Sequence, residues 1–237
     1  MTASAASLNS VGLRLRALFG MSGVPWGSLA ILGAVVVFAV FGQALAPHDP
    51  NGLNLAVSFR PPFWQEKGSY LYPLGTDQLG RDILSRLIAG ARISVTISLY
   101  AIVLAGGIGT LVALVSGYFG GWIDALIMRV VEMQMAIPSL ALALILAAAL
   151  GTGPGTVTIV VVLTYWTWYA RIIRGEILSL RERDYVLFAR VAGCSTLTIL
   201  GRHLLPNIFN TLLVLASLQV GQVILFEASL SFLGLGV

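Results

Sequence analysis

The stretch ISVTISLYAIVLAGGIGTLVALVSGYFGGWI, residues 93–123, contains no charged side chain. Crossing a bilayer takes about 20 apolar residues in a helix, and this run exceeds that. Within it Ala101, Ala105, Gly109, Ala113 and Gly117 recur every fourth residue. Small side chains at that spacing let helix backbones approach closely in lipid, where no hydrophobic effect drives helices together. The stretch therefore reads as a membrane helix made to pack tightly on others.

Three further uncharged runs, residues 17–48, 133–170 and 203–226, extend the reading along the chain. The third run of the chain, 133–170, is broken by Gly151-Thr-Gly-Pro-Gly-Thr156, a turn signal. Five spanning helices are predicted, at 24–46, 93–117, 132–150, 155–172 and 205–226. Ser139, Ala143, Ala147 and Gly151 repeat the small-residue spacing in the third. The fold class is all-α, a polytopic membrane helix bundle. Its parts are an N-terminal tail at 1–23 and a transmembrane domain at 24–237, with an outer loop at 47–92 and a cytoplasmic loop at 173–204.

Composition agrees, because 57% of the 237 residues are hydrophobic and only 10% charged, against roughly 25% charged in soluble domains. A separately folding soluble enzyme is excluded. One cysteine, Cys194, forbids an internal disulfide, and with two lone histidines it makes no spaced zinc site. Cys194 is expected as a small buried residue, and neither a metal nor a cofactor is expected.

The net charge of +4 comes from arginines and one lysine. In a membrane protein such an excess sets topology, and no aromatic-basic groove points to nucleic acid. Arg14 and Arg16 precede the first run, and Ala44-Leu45-Ala46 imitates a signal-peptidase site. That run is longer than a signal core and more membrane helices follow it, so it is read as a span.

With the N-terminus inside, the inner segments hold Arg14, Arg16, Arg129, Arg171, Arg174, Arg181, Arg183, Arg190 and Arg202. The outer ones hold Arg60, Lys67, Arg81, Arg86 and Arg92, all in one long loop with four acids. Short cytoplasmic loops carry the Lys and Arg excess, so the N-terminus and residues 171–204 are expected in the cytoplasm.

Ionisable groups at membrane depth face a cavity or a partner. Arg129 and Glu132, at i and i+3, are expected to pair with each other. Glu227, Gln134, Ser217, Gln219 and Gln222, with Trp166 and Trp168, are candidates to line a route for a polar solute. Interhelical hydrogen bonds and an interfacial aromatic belt account for the same residues and are preferred on residues alone.

A phosphate-binding Walker loop needs Lys directly after Gly, and the single lysine, Lys67, follows Glu66. Any ATP energy must then enter through another protein. A handle for one lies in DYVLFARVAGCSTLTILGRHLLPN, residues 184–207. Asp184 is a fitting N-cap, Gly193 a fitting C′ residue, and the residues between make a short helix. Tyr185, Phe188, Ala189 and Ala192 form one apolar face. So short a helix is marginal alone, and either a partner protein or the lipid surface satisfies its face. Ser195 is expected to cap a second short helix through Leu204, and Pro206 suits the first turn of the last span.

Gly193, followed by Leu205-Pro206 and preceded by Ala189, resembles the cytoplasmic EAA loop of binding-protein-dependent ABC importer permeases. Leu74-Gly-Thr-Asp-Gln-Leu-Gly-Arg-Asp-Ile-Leu-Ser-Arg86 with Gly90-Ala-Arg-Ile-Ser94 resembles the dipeptide/oligopeptide/nickel permease subunits of C type. Arg202-His-Leu-Leu-Pro-Asn207 and Glu227-Ala-Ser-Leu-Ser-Phe-Leu-Gly-Leu-Gly236 are similar to that subfamily too. The resemblance implies a permease subunit of an ATP-driven importer for di- or oligopeptides in the cell membrane. It implies as partners a homologous permease subunit, two ATP-binding subunits and an extracytoplasmic solute-binding protein.

It also implies an ATPase-coupling segment of Asp184, Tyr185, Leu187, Phe188, Ala189, Arg190, Gly193, Leu205 and Pro206. Where the family motif has Glu-Ala-Ala, this chain has Leu187-Phe188-Ala189, and Asp184 supplies a nearby negative charge. A sixth helix, usual beyond the SFLGLGV stretch in the family, is expected but absent from the chain. Asp77 with Arg81 and Asp82 with Arg86 fall at i,i+4 spacing on an expected interfacial helix. They read as a solvated helix leading into the second span or as a surface near the solute-binding protein. Rival functions are an ATP-independent channel or carrier and an intramembrane enzyme, for which no nucleophile and base converge in the sequence.

Overall fold

A computed structural model describes residues 26–234. The expected tail at 1–23, with Arg14 and Arg16, lies outside the described residues, as does the end of the SFLGLGV stretch. The chain forms two compact units, divided between Ala91 and Arg92.

In the first unit, α1 (Trp26–Leu45) is apolar on all sides and exposes most of its large side chains. Gly42 passes so near Ile88 that a Cβ there would come within 2.9 Å of its side chain. Residues 46–82 contain one 3-10 turn, Leu55–Val57, and otherwise fold by turns. The second helix, α2 (Ile83–Phe119), begins ten residues earlier than the predicted 93.

Residues 74–82 form no interfacial helix. Gly75 (φ 80°) and Gly80 (φ 73°) hold left-handed conformations, and a Cβ at Gly80 would collide with the Asn54 carbonyl. Asp82 then starts α2 by accepting from the Ser85 N–H at 3.0 Å and the Ser85 hydroxyl at 2.6 Å, an N-cap arrangement.

The second unit continues with α3 (Gly121–Met135), α4 (Ser139–Leu150), α5 (Pro154–Leu180), α6 (Asp184–Val191), α7 (Thr196–Thr198), a π-helical segment at Ile199–Leu204 and α8 (Leu205–Phe232). Among the described residues three helical stretches are long and apolar enough to cross a membrane: Ile83–Phe119, Pro154–Leu180 and Thr196–Phe232. A fourth candidate is the pair α3 and α4, bent by 88°.

The span predicted at 132–150 is thus not one helix. Pro138 has no N–H to donate and disfavours helical angles in the residue before it, and the helix breaks at Ala136–Pro138. Gly120 and Gly121, both at positive φ, separate α2 from α3. Gly153 and Pro154 open α5 where the turn signal placed them.

The small-residue stripe behaves as read. Ala101, Ala105, Gly109, Ala113 and Gly117 are all buried. At Gly109 a Cβ would lie 2.5 Å from the Trp166 carbonyl oxygen, so α2 and α5 touch backbone to backbone there. In α4 Ala143 and Ala147 are buried while Ser139 and Gly151 are exposed.

Two apolar clusters form the core of this unit. One gathers Ile97, Ala101 and Ala105 with Val157, Val161, Val223 and Leu230. The other gathers Ala113, Ile173 and Ile177 with Val186, Ala189, Ile199, Leu204 and Ile208. Arg129 and Glu132 do not form the expected pair. Instead the Arg174 guanidinium clasps Asp124 of α3 through Nε at 2.9 Å and Nη2. Arg181 Nη1 donates to the Gly117 carbonyl at 2.9 Å, closing the end of α2.

Candidate functional site

The short helix α6 is held from both ends and beneath. At its C-terminus Gly193 (φ 79°) lets its own N–H reach the Arg190 carbonyl at 3.1 Å and the Cys194 N–H reach the Ala189 carbonyl at 3.0 Å. These two bonds are the Schellman closure that a glycine at C′ makes cheap. Asp184 does not cap the N-terminus. It is the first helical residue, with Arg183 in the cap position and no side-chain cap bond.

The face that packs is also not the expected one. Val186 and Ala189 are the buried residues of α6, set against Ile199, Leu204 and Ile208. Tyr185, Leu187 and Phe188 are exposed, and Val191 and Leu197 are exposed beside them. Phe188, 72% exposed, projects an aromatic ring away from the bundle. Arg190 turns back, its guanidinium carbon 5.3 Å from the centroid of Tyr118. Cys194 is exposed, contrary to its reading as a small buried residue.

The second short helix does not end at Leu204. Ser195 accepts from the Thr198 N–H at 3.3 Å, as a cap should, and the helix then runs on through the π-helical segment into α8. Pro206 explains the widened turn, because its ring clashes with the carbonyl four residues back in a regular α-helix. The Leu205 N–H bonds to the Leu200 carbonyl. The His203 carbonyl takes the Asn207 side-chain amide at 2.6 Å. Leu205 and Pro206 thus stand where the π-helical segment passes into α8, outside α6 itself.

Along the membrane-spanning part a cavity of about 500 Å³ is lined by Ser139, Thr164, Tyr165, Trp168, Gln219 and Gln222, with aliphatic neighbours. Gln219 and Gln222, two of the path candidates, both line this cavity. Gln134 lines a smaller adjoining cavity that shares Ser139, Thr164 and Trp168 with the first. Its amide is engaged: Trp166 Nε1 donates to Oε1 at 3.0 Å, and Nε2 donates to the Leu163 carbonyl. Trp166 lines neither of these cavities. Ser217 bonds back to the Leu213 carbonyl at 2.8 Å, and Glu227 is buried elsewhere, beside Ser94. Thr164 and Tyr165 went unread, and Ser139 was read only as a small packing residue, because single hydroxyls in apolar runs carry no periodic signal of a cavity.

In the first unit Asp77 is the centre of the 74–86 motif. Oδ1 accepts from the N–H groups of Leu79 and Arg81, both at 2.9 Å, and Oδ2 from Arg81 Nε at 2.8 Å and from Arg86. Desolvation acts to raise the Asp77 pKa, but the Arg81 N–H and guanidinium, the Leu79 N–H and Arg86 outweigh it and hold the carboxyl well below its usual range. The expected Asp82–Arg86 pair does not form. Arg86 joins Asp77, while buried Asp82 faces Ser85 and His48 Nδ1 at 3.5 Å.

Comparison with known proteins bears on these features together. Residues 106–237 match the family described as binding-protein-dependent transport system inner membrane component. The dipeptide transport system permease protein DppC of Haemophilus influenzae is 36% identical over 202 residues, covering 85% of this chain and 68% of that protein. The di/tripeptide transport system permease protein DppC of Pseudomonas aeruginosa is 39% identical over 211 residues, 89% of this chain and 70% of that one. The nickel transport system permease protein NikC of Escherichia coli is 37% identical over 210 residues, 89% and 74% respectively.

Proposed function

This chain belongs to the binding-protein-dependent transport system inner membrane components, the permease subunits of ABC importers, and from that premise we propose that it forms part of a peptide-importing pore driven through α6. ATP is hydrolysed in partner ATPase subunits that receive α6. A homologous permease subunit completes the pore, and a solute-binding protein delivers di- or oligopeptides from outside. The N-terminus and α6 lie in the cytoplasm, as the Lys and Arg distribution argues.

One observation carries the proposal: the eight-residue α6 is locked by the Gly193 closure and by Val186 and Ala189, yet turns Phe188 and Val191 outward. A helix fixed on one side and apolar on the other is preorganised for a groove in another protein. Force applied at its outer face reaches α8 through Ile199 and Leu204. Asp184 stands in the first turn as the negative charge nearest that face, in place of the family's glutamate. The cavity at Gln219 and Gln222 offers amide donors and acceptors, which match a peptide backbone.

Co-purification tests the reading. Solubilised complex is expected to retain an ATPase subunit, and Phe188→Asp to release it while leaving the fold of this exposed position intact. Transport should fall about tenfold or more for a lost buried aromatic contact of 2 kcal/mol or so. Retention of ATPase and uptake by F188D, or absence of any ATPase in the wild-type complex, overturns the proposal.

A further inference from the structure

Glu227 is the one buried carboxylate among the described residues of the second unit, and no cation accompanies it. Its partners are hydroxyls. Ser94 Oγ of α2 donates to Oε2 at 2.9 Å, and Ser231 Oγ, one turn along α8, donates to Oε1 at 3.2 Å. Ser98 lies one turn beyond Ser94 on the same stripe of α2, 2% exposed, and its hydroxyl has no hydrogen-bond partner. Serine inside a helix usually bonds the carbonyl four residues back, and Ser98 does not. A buried, unpartnered hydroxyl next to an occupied one is costly unless another state uses it.

The helices are antiparallel. Ser94 meets Glu227 near the end of α8, while Ala113 of α2 shares a cluster with Ile208 near its start. Moving α8 toward its α6 end by one turn, about 5.4 Å, brings Glu227 opposite Ser98. Between the two seats α2 carries Val95, Thr96 and Ile97, and buried Ile97 shares a cluster with Val223 and Leu230 of α8, so the step carries these contacts one turn along α2 as well. Apolar contacts are non-directional and can re-form one turn on, whereas a hydrogen bond to a carboxylate has discrete made and broken states.

We propose that Glu227 is a two-position latch, seated on Ser94 in the resting state and on Ser98 after α8 has been drawn toward α6. Ser231 travels with Glu227 and holds its carboxylate in either seat. The latch rests on the importer reading above, because it supposes that force arrives at α6. It makes Glu227 a positioning residue for the transport cycle and not a lining of the solute path.

The test uses the assembled transporter in proteoliposomes. Ser94→Ala weakens the resting seat and is expected to raise ATP turnover without solute by about three- to tenfold, the factor one such bond supplies. Ser98→Ala weakens the shifted seat and is expected to lower solute-driven turnover by a similar factor, about three- to tenfold. Glu227→Gln, whose amide oxygen still accepts from serine, keeps the wild-type pattern, and Glu227→Leu loses it. On a Cys194→Ser background, S94C/E227C should cross-link with a short thiol reagent at rest and S98C/E227C with ATP trapped.

Changes of the same sign in S94A and S98A, wild-type turnover in both, or a lower yield of complex with unaltered turnover overturn the latch. Unchanged cross-linking on trapping overturns it as well. A wild-type complex that contains no ATPase overturns the importer reading, and the latch falls with it, whereas an active complex failing only these comparisons leaves that reading in place.

Discussion

Gly109 and Asp77 show how much a single position can fix. At Gly109 any side chain enters the space of the Trp166 carbonyl and Tyr169 Cβ. Gly109→Val is expected to force α2 from α5 at a cost of about 3 kcal/mol or more, read as loss of monodisperse complex in detergent, with Gly107→Val, which meets nothing within 4 Å, as the tolerated control. Asp77 works through charge. Its folded carboxyl titrates below an unfolded one, so its stabilisation is complete above the ordinary aspartate range and is lost as pH falls through the lowered folded value. Amide protection at Leu79 and Arg81, corrected for intrinsic exchange, should hold from about pH 7 to 5 and fade only in stronger acid. Asp77→Asn should lose it throughout.

Elements differ in how openly the sequence announces them. The α2 stripe and the Gly153-Pro154 start of α5 were legible because each depends on residues close in sequence. The break at Pro138 was equally local but was passed over inside a long apolar run, where hydropathy gives no sign of direction. The packed face of α6 was not legible: Tyr185, Val186, Leu187, Phe188, Ala189 and Val191 are apolar on every side, so period alone cannot choose between them. The Asp82–Arg86 expectation failed although both stand in the first turn of α2, because the Asp82 carboxylate turns back to cap that turn through Ser85 and Arg86 reaches Asp77 instead. Gln134 belongs to this scale too, since it ties α3 to α5 just before the bend. Replacing it by leucine leaves the Trp166 N–H without its partner, a loss of about 1–3 kcal/mol. The expected readout is a lower thermal midpoint of the detergent complex; an unchanged midpoint would show the tie to be dispensable.

For the whole molecule, the proposed function makes one geometric demand, that α6 and its flanks face the cytoplasm, as the Lys and Arg distribution argues. The thiol of Cys194, just past the Gly193 closure, is exposed. A membrane-impermeant maleimide should label it in inside-out vesicles and leave it untouched in intact cells. Labelling from outside would reverse the orientation and, with it, the route by which ATPase subunits reach α6. The two candidate sites sit in different compact units, the Asp77 turn in one and α6 with the cavity in the other, so damage to either is expected to be separable in binding and coupling assays.

That same thiol has a use apart from orientation. It is the single sulfhydryl in these 237 residues, one residue beyond the glycine that closes α6, and so serves as a site-specific reporter. Its alkylation rate becomes a clock for occupancy of the Phe188 face, slowed when a protein covers that face and restored when it departs. Timing nucleotide-dependent association in this way uses a thiol that the sequence already supplies.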